Sequence, residues 1–191
     1  MIRRGFLALV AAVGLGGFAG AAGAVDPGNT LVIEVSGAAN GTIEIELLPK
    51  VAPQHVERIK ALAKEGAYDN VAFHRVIEGF MAQTGDVEFG TREAFASGRA
   101  GMGGSPLADL PAEFSDLKFE RGTVGMARSQ DPDSANSQFF IMFAPAPFLD
   151  GQYTVVGQVV SGMEVVDAIQ RGSGANGTVD APDFMTRVTV K

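Results

Sequence analysis

Phe73-His74-Arg75-Val76-Ile77-Glu78-Gly79-Phe80-Met81-Ala82-Gln83-Thr84-Gly85-Asp86 is the stretch on which the reading of this chain turns. Large apolar residues surround a single Arg and a single Gln. Val71 to Val76 and Phe80 to Thr84 both carry the apolar content of strands, separated by a Glu-Gly turn. On a strand, His74 and Arg75 face opposite sides of the sheet. Two readings stand side by side here. One is an ordinary strand–turn–strand with Arg75 in a salt bridge; the other is an apolar surface that holds a guanidinium for chemistry. His74 reads as a structural hydrogen-bonding residue rather than a metal ligand.

Working outward, Leu31 to Val35 and Thr42 to Leu47 alternate Val, Ile and Leu with Glu, Ser and Thr, and Asn40-Gly41 lies between them. That pattern predicts a hairpin, because Asn and Gly tolerate positive φ. Pro53 suits the first position of a helix, where its missing N–H leaves no bond unmade. Val56, Ile59, Leu62 and Ala63 then recur at helical spacing until Gly66. Downstream, Val87 to Pro111 is rich in Gly, Ala and Ser and reads as a surface loop with one helical turn near Arg92 to Ala96. Thr123 to Ala127, Gln138 to Phe143, Tyr153 to Val160 and Arg187 to Val190 are predicted strands. Met163 to Gln170 is a second short helix, and Gly172 to Asp183 a loop. Short strands with two helices predict a mainly β domain: a closed β-barrel with its ends covered by helices and its interior filled by Phe, Ile, Val and Met.

The chain start differs from the rest. Arg3-Arg4 precede an apolar run, Phe6 to Leu15, and Ala22-Gly23-Ala24 offers a small-residue cleavage site. This is the pattern of a signal peptide over residues 1–24, too short in its apolar part to span a bilayer. Arg3-Arg4-Gly5-Phe6-Leu7 also fits a twin-arginine export signal, so the sequence leaves two routes open to a periplasmic or secreted location. The domain then runs over residues 25–191. Taking Arg3 and Arg4 from the 15 basic residues leaves 13 against 22 acidic ones. A balance this acidic repels phosphate backbones, which argues against nucleic acid as a partner. The absence of cysteine excludes disulfides, thiol catalysis and thiolate metal sites.

Two motif matches carry nothing. Gly14 to Ala19 fits the loose dinucleotide pattern GxGxxA but lies inside the leader with no strand before it. Ser115 to Lys118 fits SxxK without its companion motifs. His55 and His74 are the only histidines and form no cluster with Ser and acid. Nothing in the sequence calls for a cofactor or a metal.

The balance between the two readings of Arg75 shifts with three further blocks: GTVGMARS (Gly122 to Ser129), NSQFFIMF (Asn136 to Phe143) and FLDGQYTVVGQV (Phe148 to Val159). With FHRVIEGFMAQTGD they resemble, in order and rough spacing, the cyclophilin family of peptidyl-prolyl cis-trans isomerases, in its bacterial, exported form. The likeness covers about Leu31 to Val190. It implies a closed eight-stranded antiparallel barrel capped by two helices, and an enzyme that assists the folding of exported proteins. It also implies site roles. Arg75, Gln83 and Phe140 correspond to catalytic residues. Phe80, Met81, Ala127, Arg128, Gln138, Phe148, Leu149 and Tyr153 correspond to substrate-binding ones, with Phe80, Met81, Phe140 and Leu149 forming the proline pocket. Gln83 and Gln138 flank the substrate backbone, and the Ala127-Arg128 main chain pairs with the residue before proline. The implied partners are proline-containing polypeptides, met by a monomer with no stable membrane association once the leader is cleaved.

Elementary chemistry agrees with that set. Rotation about an X–Pro bond meets a barrier of roughly 18–20 kcal/mol from amide conjugation. No bond is made or broken, so the task is to hold the twisted amide better than the planar one. When the amide twists, the prolyl nitrogen regains its lone pair and accepts a hydrogen bond, for which a guanidinium is a fixed, charged donor. The chain also departs from the family pattern: Glu78 stands where many members have proline, Thr84 where they have glycine, and Arg128 where Asn is common. Phe148 replaces a Trp and Tyr153 a His of the cyclosporin-sensitive members, which implies weak cyclosporin binding. The Val87 to Pro111 loop is the least family-like segment and reads first as a tolerated insertion, second as a lip over the site.

Overall fold

The computed structural model describes residues 27–191; the predicted leader lies outside the described residues. Alternation sets the first hairpin. Thr30–Ser36 (β1) and Gly41–Leu47 (β2) pair antiparallel, with Leu31 opposite Ile45 and Ile33 opposite Ile43, all four buried. The positive angles of this turn fall on Gly37 and Gly41, not on Asn40, whose side-chain amide donates to the Gly37 carbonyl at 2.9 Å.

Pro53–Lys64 (α1) buries Val56, Ile59, Leu62 and Ala63 and packs against β9, Phe184–Val190. Ala52 offers its N-terminus no side-chain cap. Glu113, remote in sequence, takes that role: its carboxylate accepts the N–H groups of Gln54 and His55, both at 3.2 Å, and lies 2.7 Å from His55 Nδ1. Burial alone would raise the Glu113 pKa, but these hydrogen bonds outweigh it and hold the carboxyl below its ordinary value. Met163–Ala168 (α2) is shorter than predicted and lies against β2.

The remaining strands are Val71–Ala72 (β3), Arg75–Ile77 (β4), Met81–Thr84 (β5), Thr123–Met126 (β6), Phe139–Met142 (β7) and Val155–Ser161 (β8). All belong to one antiparallel sheet in the order β3-β9-β1-β2-β8-β6-β7-β5-β4. The closed eight-stranded barrel expected from the sequence is therefore corrected to an open, curled sheet of nine strands. The cause is local. The single strand predicted over Val71 to Val76 is two strands, because the chain crosses the seam at Phe73-His74 while both residues stay buried. β3 pairs with β9 at one edge and β4 with β5 at the other, and no ladder joins β3 to β4. Across the gap the backbone bonds to loops instead: Phe73 N–H to the Asp183 carbonyl and Val76 N–H to that of Gly177.

Period-two alternation divides the apolar residues into two clusters. Val76, Ala82, Val124, Met126, Phe139 and Ile141 join the hairpin and α1 in the filled interior. Their neighbours in sequence, Met81, Phe140 and Met142, point to the outer face, where they pack with Phe119, Leu149 and Val155. That second cluster is the floor on which a site can be built.

Candidate active site

Register brings the chemistry together. Arg75 lies opposite Gln83, Gln83 opposite Phe140, and Phe140 opposite Gly125, so one row crosses four adjacent strands on the outer face. Gly125 has to be glycine: a Cβ there would come within 2.6 Å of both the Phe119 and the Phe140 ring. Its absence lets those rings stack with centroids 5.8 Å apart, and Tyr153 meets Phe140 edge-on at 5.9 Å. Met81, Phe140 and Leu149 are almost fully buried. Each such side chain contributes about 1.5–3 kcal/mol by leaving water, so the floor is set before any ligand arrives. Phe80 and Phe148 form the rim with centroids 5.6 Å apart, and Phe148 is 66% exposed. Together with Arg75, Gln83, Ala127 and Arg128 these residues line a cleft of about 390 Å³.

Arg75 is oriented by neutral groups alone. Its Nη1 donates to Gln83 Oε1 at 3.1 Å and its Nε to the Asn176 carbonyl at 3.0 Å. Among the described residues no carboxylate pairs with it, which removes the salt-bridge reading. Partial burial lowers its pKa, opposed by the Tyr153 phenol, yet an arginine keeps its charge in proteins. The relay continues outward. Gln83 Nε2 donates to Gln138 Oε1 at 2.9 Å, and Gln138 Nε2 donates to the carbonyls of Gly101 and Gly103 at 3.1 and 2.8 Å.

Those last contacts revise the view of residues 87–111 as a tolerated insertion. Asp86, fully buried, accepts the N–H groups of Glu88 and Phe89 on Oδ1 and of Gly101 and Gly103 on Oδ2, at 2.7 to 3.1 Å. The loop is thus stapled at both ends of its first half and carries Met102 to the lip of a second cleft of about 400 Å³. The two clefts share Gln83, Ala127 and Arg128. At that divide Ala127 N–H bonds to the Gln138 carbonyl, while the Arg128 N–H and the Ala127 carbonyl have no partner among the described residues. The Arg128 guanidinium donates to the carbonyls of Ser129 and Gln152 at 2.8 and 3.0 Å and lies 4.3 Å over the Tyr153 ring.

Every predicted site residue falls on this face. Asp86 and Asn176 carry no sequence signal of a role: Asp86 looks like the polar end of a turn, and Asn176 acts through its carbonyl, which no side-chain pattern reports. His74 corrects its expectation. It is buried between β3 and β4 with its ring against Gly101, and neither ring nitrogen has a hydrogen-bond partner. Burial lowers its pKa more than the nearby Asp86 charge raises it. A histidine held neutral in the folded state takes up fewer protons than the unfolded chain below about pH 6.5. Its contribution to stability is complete above that pH and is lost as pH falls toward the depressed folded value. Urea midpoints should therefore decline from about pH 6.5 downward, and His74→Leu should flatten that part of the profile; an unchanged profile would contradict the neutral assignment.

The family model described as cyclophilin type peptidyl-prolyl cis-trans isomerase/CLD matches residues 30–190. A probable peptidyl-prolyl cis-trans isomerase of Brucella suis is 59% identical over 172 residues, covering 89% of this chain and 86% of its own. Among solved structures, a cyclophilin of Hirschia baltica superposes with a TM-score of 0.72 at 26% identity, over 87% of this chain and 75% of that one. A cyclophilin type isomerase of Cryptosporidium parvum, crystallised in the presence of the dipeptide Ala-Pro, has a TM-score of 0.72 at 26% identity, over 85% and 98%.

Proposed function

The chain belongs to the cyclophilin-type peptidyl-prolyl cis-trans isomerases, and from that premise we propose that it isomerises X–Pro bonds of exported polypeptides, with Arg75 as the group that stabilises the twisted amide. The observation that carries this reading is a charged guanidinium fixed above an apolar cleft by Gln83 and the Asn176 carbonyl, with no carboxylate competing for it. The pyrrolidine ring fits against Phe80, Met81, Phe140 and Leu149. That floor excludes water from one side of Arg75 and so strengthens its hydrogen bond to the prolyl nitrogen as the amide twists. The free Arg128 N–H and Ala127 carbonyl pair with the residue before proline as an added strand would. Gln83 and Gln138 hold Arg75 in place and face the substrate backbone.

Residues 1–24 serve as a cleaved signal peptide, and residues 25–191 act in the periplasm or outside the cell, as a monomer, on folding clients. Three features of the sequence support this: the basic-apolar-small pattern of the leader, the acidic balance of the remainder, and the absence of cysteine. No helix among the described residues is long and apolar enough to cross a membrane. The test is a proline-isomerisation assay of residues 25–191 on a panel of X–Pro peptides, with the N-terminus of the exported protein read by mass spectrometry. Uncatalysed rates across the panel, or an N-terminus still at Met1, would refute the corresponding half.

Arg128 sets a preference within that panel. It borders both clefts with no carboxylate partner among the described residues. A peptide with Glu before proline should turn over roughly two- to fivefold faster than its Lys counterpart at low salt, the yield of one partly exposed ion pair. Arg128→Gln should bring the ratio close to one. An unchanged ratio would show that the charge is not read.

A further inference from the structure

Asn-Gly occurs twice in the chain, at Asn40-Gly41 and at Asn176-Gly177. The geometry points to Asn176 as a self-modification site at which the side-chain amide is lost and the main chain is rerouted, switching off the Arg75 centre. Its chemical part stands on local geometry; its effect on turnover rests on the function proposed above.

In an Asn-Gly pair the glycine nitrogen can attack the Asn Cγ, since no Cβ on the following residue blocks the approach. The attack needs the peptide nitrogen in its deprotonated form. At Asn176 the carbonyl of that same peptide unit accepts the Arg75 Nε–H at 3.0 Å. A cation on the carbonyl oxygen stabilises the anion that deprotonation leaves, so it raises the acidity of the Gly177 N–H. The competing bonds are weak: Gly177 N–H reaches the Gly174 carbonyl only at 3.3 Å, and Asn176 Nδ2 reaches Thr178 Oγ1 at 3.5 Å. Asn176 is exposed. Asn40 is also exposed, but its amide is tied to the Gly37 carbonyl at 2.9 Å, and no Arg or Lys among the described residues donates to its carbonyl. One molecule thus holds a site with the cation and a site without it.

The step balances with water as the only co-reactant. The Gly177 N–Cγ bond forms, the Cγ–Nδ2 bond breaks, the Gly177 proton leaves with Nδ2 as ammonia, and a succinimide results. Water then opens the ring. Attack at Cγ gives aspartate; attack at the former main-chain carbonyl gives isoaspartate, in which that carbonyl becomes an α-carboxylate and the chain gains one methylene. Either product puts a negative charge beside Arg75, and in isoaspartate the neutral acceptor of Arg75 Nε is itself the carboxylate. The added methylene finds no space on the glycine side. Gly177 has φ +70°, its Cα faces Ile77 and Val76 with no room for a Cβ, and its carbonyl holds the Val76 N–H at 2.7 Å. The displacement therefore falls on residue 176, against Arg75.

The test ages the intact domain in warm, mildly alkaline buffer and maps both Asn-Gly sites by mass spectrometry, reading the replacement of NH by O and the isoaspartyl linkage. Residue 176 should convert faster than residue 40, Arg75→Ala should slow conversion at 176 and leave residue 40 alone, and isomerase activity should fall in step with the modified fraction at 176. Asn176→Ser should keep its own starting activity through the same incubation. Faster conversion at residue 40, or a rate at 176 that ignores Arg75→Ala, overturns the assignment; conversion at 176 without loss of activity overturns the switch. Fresh protein without isomerase activity would instead count against the proposed function, and the mapping would still report the chemistry.

Discussion

Arg75→Ala is expected to lower kcat/KM for X–Pro isomerisation by about 10²–10³-fold, the usual cost of removing one preorganised donor aimed at developing charge. The fold should survive. Arg75 is only partly buried, it points away from the filled interior, and its two hydrogen bonds go to Gln83 and to the Asn176 carbonyl, both able to turn to water. Near-UV circular dichroism and the thermal midpoint should therefore stay close to those of the parent while the coupled assay collapses. Arg75→Lys tests geometry against charge. It keeps the cation but loses the planar fork that Gln83 and Asn176 orient, and should recover little. Near-parental turnover in the alanine variant would remove Arg75 from the mechanism.

Asp86→Ala is the largest expected loss of stability. It removes one buried carboxylate and leaves four backbone N–H groups without an acceptor. Each costs about 1–3 kcal/mol if it stays buried, though the loop would open to water before the whole sum is felt. A net loss of about 3–5 kcal/mol is expected, or a fall in Tm of roughly 10 °C for a domain of this size. Turnover should suffer as well, because Gly101 and Gly103 would no longer hold Gln138, and Gln138 would no longer hold Gln83. An unchanged Tm would mean that the staple is dispensable.

What the residues disclosed and what they concealed divide along a physical line. Period-two alternation in β1 and β2 and the helical spacing of Val56, Ile59 and Leu62 report on one face at a time, so these elements were legible with bounds near those observed. Val71 to Val76 was not. Its residues are buried on both sides of the seam, and burial alone does not say where the chain leaves one strand for the next. That one break separates nine strands in a curled sheet from a closed barrel of eight. The site residues were legible because the four motif blocks carry them as side chains. Asn176 acts through a carbonyl and Asp86 through backbone donors a loop away, and neither contact leaves a periodic or compositional trace. Glu113 is the same kind of case, a helix cap supplied from 59 residues downstream of Gln54.

As proposed above, this cleft turns prolyl bonds and does not merely hold them. Exchange spectroscopy by NMR on a short Ala-Pro peptide with catalytic amounts of residues 25–191 tests it most directly. Cis–trans exchange should be far faster than the uncatalysed tens to hundreds of seconds, with line broadening of the Phe140 and Tyr153 rings as the peptide enters. The same broadening with exchange left at its uncatalysed rate would show a binding module and contradict it.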